Sequence, residues 1–136
     1  MNIKHTICYD DVLLVPQYSS IESRKEINIG NFLSDTRFLT PIISAPMDTV
    51  TEVAMAIQMS RCGGLGIIHR YNTIDEQVKL IKRALAVGAK NIAAAIGVTG
   101  DYIDRACALY DAGLRIICID VAHGHHVMMR HSRWRY

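Results

Sequence analysis

From residue 41 onward the chain alternates between short apolar runs and longer amphipathic stretches. Four runs are apolar throughout, a pattern that predicts strands covered on both faces. Their first residues are spaced by 24, 27 and 24 positions. The predicted strands are Pro41–Ala45, Leu65–Ile68, Ile92–Ile96 and Ile116–Asp120.

Helical signals lie between these runs. The clearest is Thr73-Ile74-Asp75-Glu76, a capping box in which the first and last residues satisfy each other's backbone N–H groups. Apolar residues then follow at helical spacing up to Gly88, the predicted end of that helix. A first helix is predicted to begin near Thr51 and to include Val53, Ala54 and Ile57, with Gly63 and Gly64 as its end. A third is predicted over Tyr102–Ala112, with one apolar face formed by Ile103, Ala106, Cys107 and Tyr110.

Strands that alternate with helices at this spacing predict βαβ units and a parallel sheet. Two α/β architectures fit, an open doubly wound sheet and a (β/α)₈, or TIM, barrel. A barrel takes about 250 residues. On that interpretation, the predicted strands would form about the first half of one.

The chain divides into three predicted segments. Residues 1–40 form an N-terminal cover, in which Ile27, Ile29 and Phe32 alternate with polar residues and suggest a hairpin turning at Gly30-Asn31. Residues 41–129 hold four β/α units. Residues 130–136 form an irregular basic tail.

Composition narrows the class of protein. Hydrophobic residues make up 50% and charged residues 21%, which is typical of a globular chain. Much of the net charge of +2 lies in the last seven residues. A basic tail of this kind is only a weak signal for nucleic acid or membrane, and we interpret it as a solvated chain end. We therefore expect no nucleic-acid or membrane partner. Four cysteines without a C-x-x-C pair predict a reducing compartment, with the last three buried as small apolar groups. With no secretory signal and no apolar run of about 20 residues, we expect a soluble, cytoplasmic protein.

Each predicted strand ends in a polar loop, where parallel α/β folds place their ligands. Asp120 is the most informative, because a carboxylate at the end of a buried strand is costly unless something hydrogen-bonds to it. A ribose hydroxyl is a frequent partner there, and a structural cap is the alternative. His123 and Gly124 share this loop, which favours the ligand interpretation.

Other chemistries are less well supported by the sequence. Among His123, His125, His126 and His131, only the first and third fall at i, i+3, so no metal site is predicted. Gly97-Val98-Thr99-Gly100 follows a predicted strand, but it lacks both the G-x-G-x-x-G signature of dinucleotide-binding loops and the Lys-Ser/Thr pair of a P-loop. It is therefore weak evidence for a phosphate site. No cysteine occupies a strand-end loop beside a base, so no catalytic nucleophile is predicted in this chain.

Four motifs, in order, resemble the IMP dehydrogenase/GMP reductase family. The resemblance covers residues 6 to about 129. The motifs are Tyr9-Asp10-Asp11-Val12-Leu13-Leu14-Val15-Pro16, Ser44-Ala45-Pro46-Met47-Asp48-Thr49-Val50-Thr51-Glu52, Gly63-Gly64-Leu65-Gly66-Ile67-Ile68-His69-Arg70 and Ile119-Asp120-Val121-Ala122-His123-Gly124-His125.

The resemblance implies a (β/α)₈ barrel that oxidises IMP to XMP with NAD, or reduces GMP to IMP with NADPH. Four such units alone would leave two open sheet edges and an exposed inner face, so we expect a homo-oligomer. Ala45 and Met47 would contact the purine nucleotide, with Met47 beside the base. Five residues would serve the dinucleotide: Asp120, Ala122 and Gly124 near the nicotinamide ribose, Thr99 on the adenine side, and Arg70.

The sequence also departs from the family pattern. No CBS modules are inserted after the second strand, where residues 71–77 run directly into a helix. The first two motifs favour the dehydrogenase, and Asp120-Val121-Ala122 favours the reductase; we favour the dehydrogenase. In the family, the catalytic cysteine loop, the phosphate loops, the monovalent-cation site and the flap would follow residue 136. We therefore expect no turnover by this chain alone. A non-catalytic half-barrel that self-associates is the alternative.

Overall fold

The computed structural model describes residues 5–131 of the 136-residue chain. Short 3-10 turns lie at Tyr9–Asp11 and Arg24–Glu26. The strands are β1 (Asn31–Leu33), β2 (Thr36–Phe38), β3 (Ile43–Ser44), β4 (Leu65–Ile68), β5 (Ile92–Ile96) and β6 (Ile117–Ile119). The helices are α1 (Val53–Arg61), α2 (Ile74–Ala86), α3 (Tyr102–Asp111) and α4 (Val127–His131).

The four later strands form one parallel sheet in the order β3-β4-β5-β6, which is also their order along the chain. Helices α1 and α2 pack against each other, as do α2 and α3, so the crossover helices lie side by side. A doubly wound sheet reverses its strand order at a switch point, and no reversal occurs among these strands. The topology is consistent with a partial unit of a TIM-barrel-like fold.

The sheet buries apolar side chains on both faces. On the helix side, Ile68, Ile92 and Ile96 pack with Ile81 and Leu109. On the opposite face, Leu65, Ile67 and two small residues of β5, Ala93 and Ala95, pack against Phe38 from the hairpin β1–β2. Every residue of β4 and β5 is buried, as expected for strands with a neighbour on each side.

Gly66 fixes how closely α1 approaches the sheet. A Cβ at this position would lie 2.5 Å from the Cα of Ala56, which is itself fully buried in α1. Real side chains do not tolerate that distance, so the contact requires glycine. The backbone of α1 therefore lies directly against β4, upstream of the loop that β4 leads into.

Local sequence signals set the helix boundaries. The capping box predicted at Thr73 and Glu76 is confirmed, with each side chain accepting a backbone N–H from the other residue. These hydrogen bonds, from the backbone N–H and then the hydroxyl of Thr73, hold the pKa of Glu76 below its usual range. Gly88 and Gly113 follow their helices with φ of 79° and 100°, the left-handed conformation that favours glycine at a helix end.

The edges of the sheet differ from the prediction. Strand β3 is shorter than predicted, and Ile43 is 61% exposed rather than buried. Ile117 in β6 is also exposed. Within the described residues each of these strands has a neighbour on one side only, so their outer edges lack the cover that buries β4 and β5.

The N-terminal region also differs. The hairpin turns at Ser34-Asp35 rather than at Gly30-Asn31, because the Asn28 side chain accepts the Gly30 N–H and forms a local turn before β1 begins. Of the described residues before β3, those of the hairpin cover the sheet, through Phe38. Between Ile7 and Ile29 the large apolar side chains are exposed, so that part of the predicted cover does not bury the domain.

Two smaller predictions need correction. Cys62 and Cys107 are exposed and Cys118 is half-buried, so the prediction that these three cysteines are buried is wrong. The buried residues of α3 are Arg105, Ala106 and Leu109, so only Ala106 of the predicted apolar face is buried.

At the C-terminal side, helix α4 includes Arg130 and His131, two residues of the predicted irregular tail. Residues 132–136 lie outside the described residues. In residues 5–131, no helix is both long enough and apolar enough to cross a lipid bilayer.

Replacing Gly66 with Ala should destabilise the chain by about 1–3 kcal/mol, because the added methyl group overpacks the contact with Ala56. Urea unfolding followed by circular dichroism measures the change. Gly124→Ala is the matched control, since no atom lies within 4 Å of its Cβ position, and it should alter stability little. Equal stability of the two variants would contradict the close-approach account.

Candidate functional site

Four loops follow the carboxyl ends of β3, β4, β5 and β6, and the parallel sheet brings them to the same edge. This edge is where α/β folds of this topology bind ligands. The loops contain every site residue predicted from the sequence.

Thr51 organises the loop after β3. Its side chain is fully buried, with Oγ1 at 2.6 Å from the Ala45 carbonyl oxygen and 2.9 Å from Ser44 Oγ. Because a carbonyl only accepts, the Thr51 hydroxyl donates to the Ala45 carbonyl and therefore accepts a hydrogen bond from the Ser44 hydroxyl. The Met47 N–H also donates to the Ala45 carbonyl at 2.9 Å. The predicted substrate residues Ala45 and Met47 thus share one fixed turn, and half of the Met47 surface stays accessible.

His69 connects the end of β4 to the start of α1. The side chain is buried, and its Nδ1 accepts the backbone N–H of Tyr71 at 3.2 Å. That hydrogen bond assigns the ring proton to Nε2, which lies 3.5 Å from Glu52 Oε1. The two contacts fix the backbone on both sides of Arg70.

Arg70 and Asp120 form an ion pair across the strand ends. Arg70 Nε lies 3.3 Å from Asp120 Oδ2, although the two residues follow β4 and β6, which are not neighbours. The guanidinium crosses the end of β5 beside Gly97, where a Cβ would lie 3.4 Å from Nη1. Both side chains are about one-third exposed. Two of the predicted cofactor residues are therefore in contact and accessible.

The other three predicted cofactor residues are not part of this pair. Thr99 is exposed in the loop after β5, and Ala122 and Gly124 are exposed in the loop after β6. Gly124 lines an open depression beside the start of α4, together with Ile119, His125, His126, Val127, Met129 and Arg130. Rings of His123 and His125 meet edge to face at 6.4 Å. Within the described part of the chain, no three His, Cys, Asp or Glu side chains are grouped to hold a metal ion.

A buried polar network lies behind these loops, and the sequence analysis missed it. The guanidinium of Arg105 is buried and donates to Asp101 Oδ2 at 2.7 Å, to the Asn72 carbonyl at 2.9 Å and to Gln77 Oε1 at 3.0 Å. The Asp101 contact is an i, i+4 pair, which was the available sequence signal.

Gln77 extends the network to the sheet. It is fully buried, and its Nε2 donates at 2.9 Å to the carbonyls of both His69 and Ala95. Its position four residues before the buried Ile81 placed a polar residue on the core face of α2, a signal that could have identified it. The network therefore joins α2 and α3 to the loop after β4 and to the end of β5.

The environment of Cys118 in β6 does not activate its thiol for nucleophilic attack. Burial raises the pKa of the Cys118 thiol, and the negative charge of Asp120 raises it further. A raised pKa lowers the thiolate fraction, which is the nucleophilic form.

Comparison with known proteins identifies the family. A model of the IMP dehydrogenase / GMP reductase domain matches residues 6–133. The chain belongs to the IMP dehydrogenase/GMP reductase family. The resemblance inferred from the four motifs is thus confirmed.

Relatives carry both names of this family. An inosine-5'-monophosphate dehydrogenase of Nitrosopumilus maritimus is 47% identical over 95 residues, covering 67% of this chain and 20% of that protein. A GMP reductase of Leishmania donovani is 45% identical over 78 residues, covering 57% of this chain and 16% of that protein. For an inosine-5'-monophosphate dehydrogenase of Cryptosporidium parvum the identity is 31%, with 91% of this chain and 41% of that protein covered. The chain spans less than half the length of each.

Replacing Asp101 with Asn should make the free energy of unfolding depend less on pH in the acidic range. The hydrogen bond from Arg105 holds the pKa of Asp101 below its ordinary value of 3.8. The ion pair therefore stabilises the fold above that value, and its contribution is lost as pH falls through the lower folded-state pKa. Urea unfolding from about pH 5 to about pH 2 spans this window.

Over that range the unmodified chain should lose more stability than the Asp101→Asn variant. Asp104→Asn is the control, an exposed residue of the same helix with no ion pair or hydrogen bond from its side chain among the described residues. It should follow the unmodified chain. Identical pH profiles for the unmodified chain and Asp101→Asn would show that the pair contributes nothing.

Proposed function

We propose that this chain is part of a purine nucleotide oxidoreductase of the IMP dehydrogenase type, which converts IMP, NAD and water to XMP and NADH. Residues 41–129 are then the first four β/α units of a (β/α)₈ barrel. The Arg70–Asp120 pair, accessible at the carboxyl edge of the sheet in a member of this family, carries the proposal. The fixed Ala45–Met47 turn at the same edge supports it.

The substrate side is assigned to the loop after β3. Its turn is held from within by Thr51, so the backbone at Ala45 and Met47 is preorganised before a nucleotide arrives. Met47 presents a half-exposed thioether side chain. A flat purine base can pack against such a polarisable, apolar group.

The cofactor side is assigned to Asp120 and Arg70, with Thr99, Ala122 and Gly124 around them. A carboxylate can accept hydrogen bonds from ribose hydroxyls, and a guanidinium can donate to phosphate oxygens. These donor and acceptor types fit a dinucleotide, NAD in the dehydrogenase or NADP in the alternative. The bound dinucleotide would supply the hydride acceptor in the dehydrogenase and the hydride donor in the reductase. In the free chain each group of the pair neutralises the other, and both remain accessible at one-third exposure.

A GMP reductase is the second candidate, favoured by the similarity to the Leishmania donovani enzyme. It would convert GMP to IMP with NADPH. In either case we expect no turnover by this chain alone. The exposed apolar residues Ile42 and Ile43 at the sheet edge support our expectation of a homo-oligomer.

In a polypeptide that joins these residues to the remainder of the barrel, we expect NAD-dependent formation of XMP from IMP. The Asp120→Asn variant should raise the KM for NAD roughly tenfold or more, since a hydrogen bond to a charged group contributes about 1.5–3 kcal/mol. The KM for IMP should change much less. Asp104→Asn, on the outer helix α3, is the matched control and should leave both values unchanged.

Chromatographic separation of XMP from IMP measures the product directly. Formation of IMP from GMP and NADPH, with no XMP from IMP, would establish the reductase instead. Neither activity in the joined polypeptide would refute the proposal. XMP formed by the 136-residue chain alone would refute the expected lack of turnover.

A further inference from the structure

A second cavity, of about 250 Å³, lies at the amino ends of β4 and β5. This is the edge of the sheet opposite the candidate functional site. Three separate segments build its wall: strand β2 of the hairpin, the end of α1, and the loop between α2 and β5.

Each of the three segments contributes one cation to the wall. They are Arg37 from β2, Arg61 from the last position of α1, and Lys90 from the loop before β5. Within residues 5–131, no acidic residue lines the cavity. Among the described residues, none of the three cationic groups takes part in an ion pair. Three cationic residues without an ion-pair partner in the described part of the chain thus line one cavity.

Ser60 adds a neutral hydrogen-bond donor to the cavity and links the end of α1 to the loop before β5. Its Oγ accepts the backbone N–H groups of Lys90 at 2.9 Å and of Asn91 at 3.1 Å. Both acceptor positions of the hydroxyl are then used, so its remaining capacity is to donate. The Asn91 side chain in turn donates to the Arg37 carbonyl at 3.2 Å, which ties the hairpin to the same loop. The cavity is therefore rich in donors and is cross-linked by hydrogen bonds.

We propose that this cavity binds a phosphate group, either free or as a small monoester. A phosphate dianion offers several acceptor oxygens and the charge that three cations require. Leu39 and Val87 line the same cavity, and each is more than half exposed, so the organic part of a monoester has an apolar surface to contact. The site is separate from the proposed nucleotide site and does not depend on that proposal.

Titration of the isotopically labelled chain with inorganic phosphate, followed by NMR, tests the site without any mutation. At low ionic strength and constant chloride, the amide signals of residues 37, 60–61 and 88–91 should shift and saturate. Glycerol phosphate titrated in the same way distinguishes the sources: tighter binding of the ester indicates a monoester site, and equal or weaker binding indicates a site for free phosphate. Shifts that do not saturate, or that map to the carboxyl edge, would overturn the proposal.

The variants Arg61→Gln and Lys90→Gln should each weaken phosphate binding about fivefold, the effect of losing roughly 1 kcal/mol from a solvent-accessible ion pair. Lys82→Gln is the matched control, because Lys82 is an exposed lysine of α2 that does not line the cavity. It should bind phosphate as the unmodified chain does. Equal weakening by all three variants would show a general charge effect and overturn the site. If a variant fails to fold, the mapping on the unmodified chain decides.

Discussion

The candidate site depends on the hydrogen bonds made by the buried guanidinium of Arg105. A charge removed from water costs several kcal/mol unless it is paired and fully hydrogen-bonded. Here Asp101 supplies the opposite charge, and Gln77 and the Asn72 carbonyl take up further donors. Since Gln77 also holds the carbonyls of His69 and Ala95, this one buried charge fixes the chain where β4 and β5 end. Such a network stabilises one arrangement of loops rather than adding much net stability.

The geometry of the accessible groups follows from this frame. The His69 carbonyl is held from the helix side by Gln77, and the His69 ring is held by Tyr71 and Glu52. Arg70, the next residue, therefore leaves the strand in a set direction, across Gly97 towards Asp120. At the amino edge of the sheet, the Gly66–Ala56 contact and the hydrogen bonds accepted by Ser60 from Lys90 and Asn91 hold the chain in place instead. The sheet thus separates two donor-rich regions, one at each end of its strands.

Local signals in the sequence predicted most of the regular structure. The bounds of β4 and β5 agree with prediction, and the Thr73 capping box is confirmed, because these features depend on nearest neighbours along the chain. The sequence also led to Arg70 and Asp120, which the structure brings into contact. What failed depends on tertiary context: the exposure of Ile43 at a sheet edge, the turn position set by Asn28, and the exposed cysteines. Arg105 was missed because hydropathy places arginine on the solvent face of a helix. Two of its three hydrogen-bond partners, Gln77 and Asn72, lie 28 and 33 residues away along the chain.

Amide hydrogen exchange in the Arg105→Met variant tests the central claim most directly. Methionine keeps most of the side-chain volume and removes the hydrogen bonds, so the core packing of α3 should be largely kept. We predict faster exchange at Tyr71 and Gln77, whose amides lie in or beside the loop after β4, with little change at Leu65 at the amino end of the same strand. Unchanged exchange at Tyr71, or an equal acceleration at Leu65, would contradict the claim that Arg105 fixes the carboxyl edge.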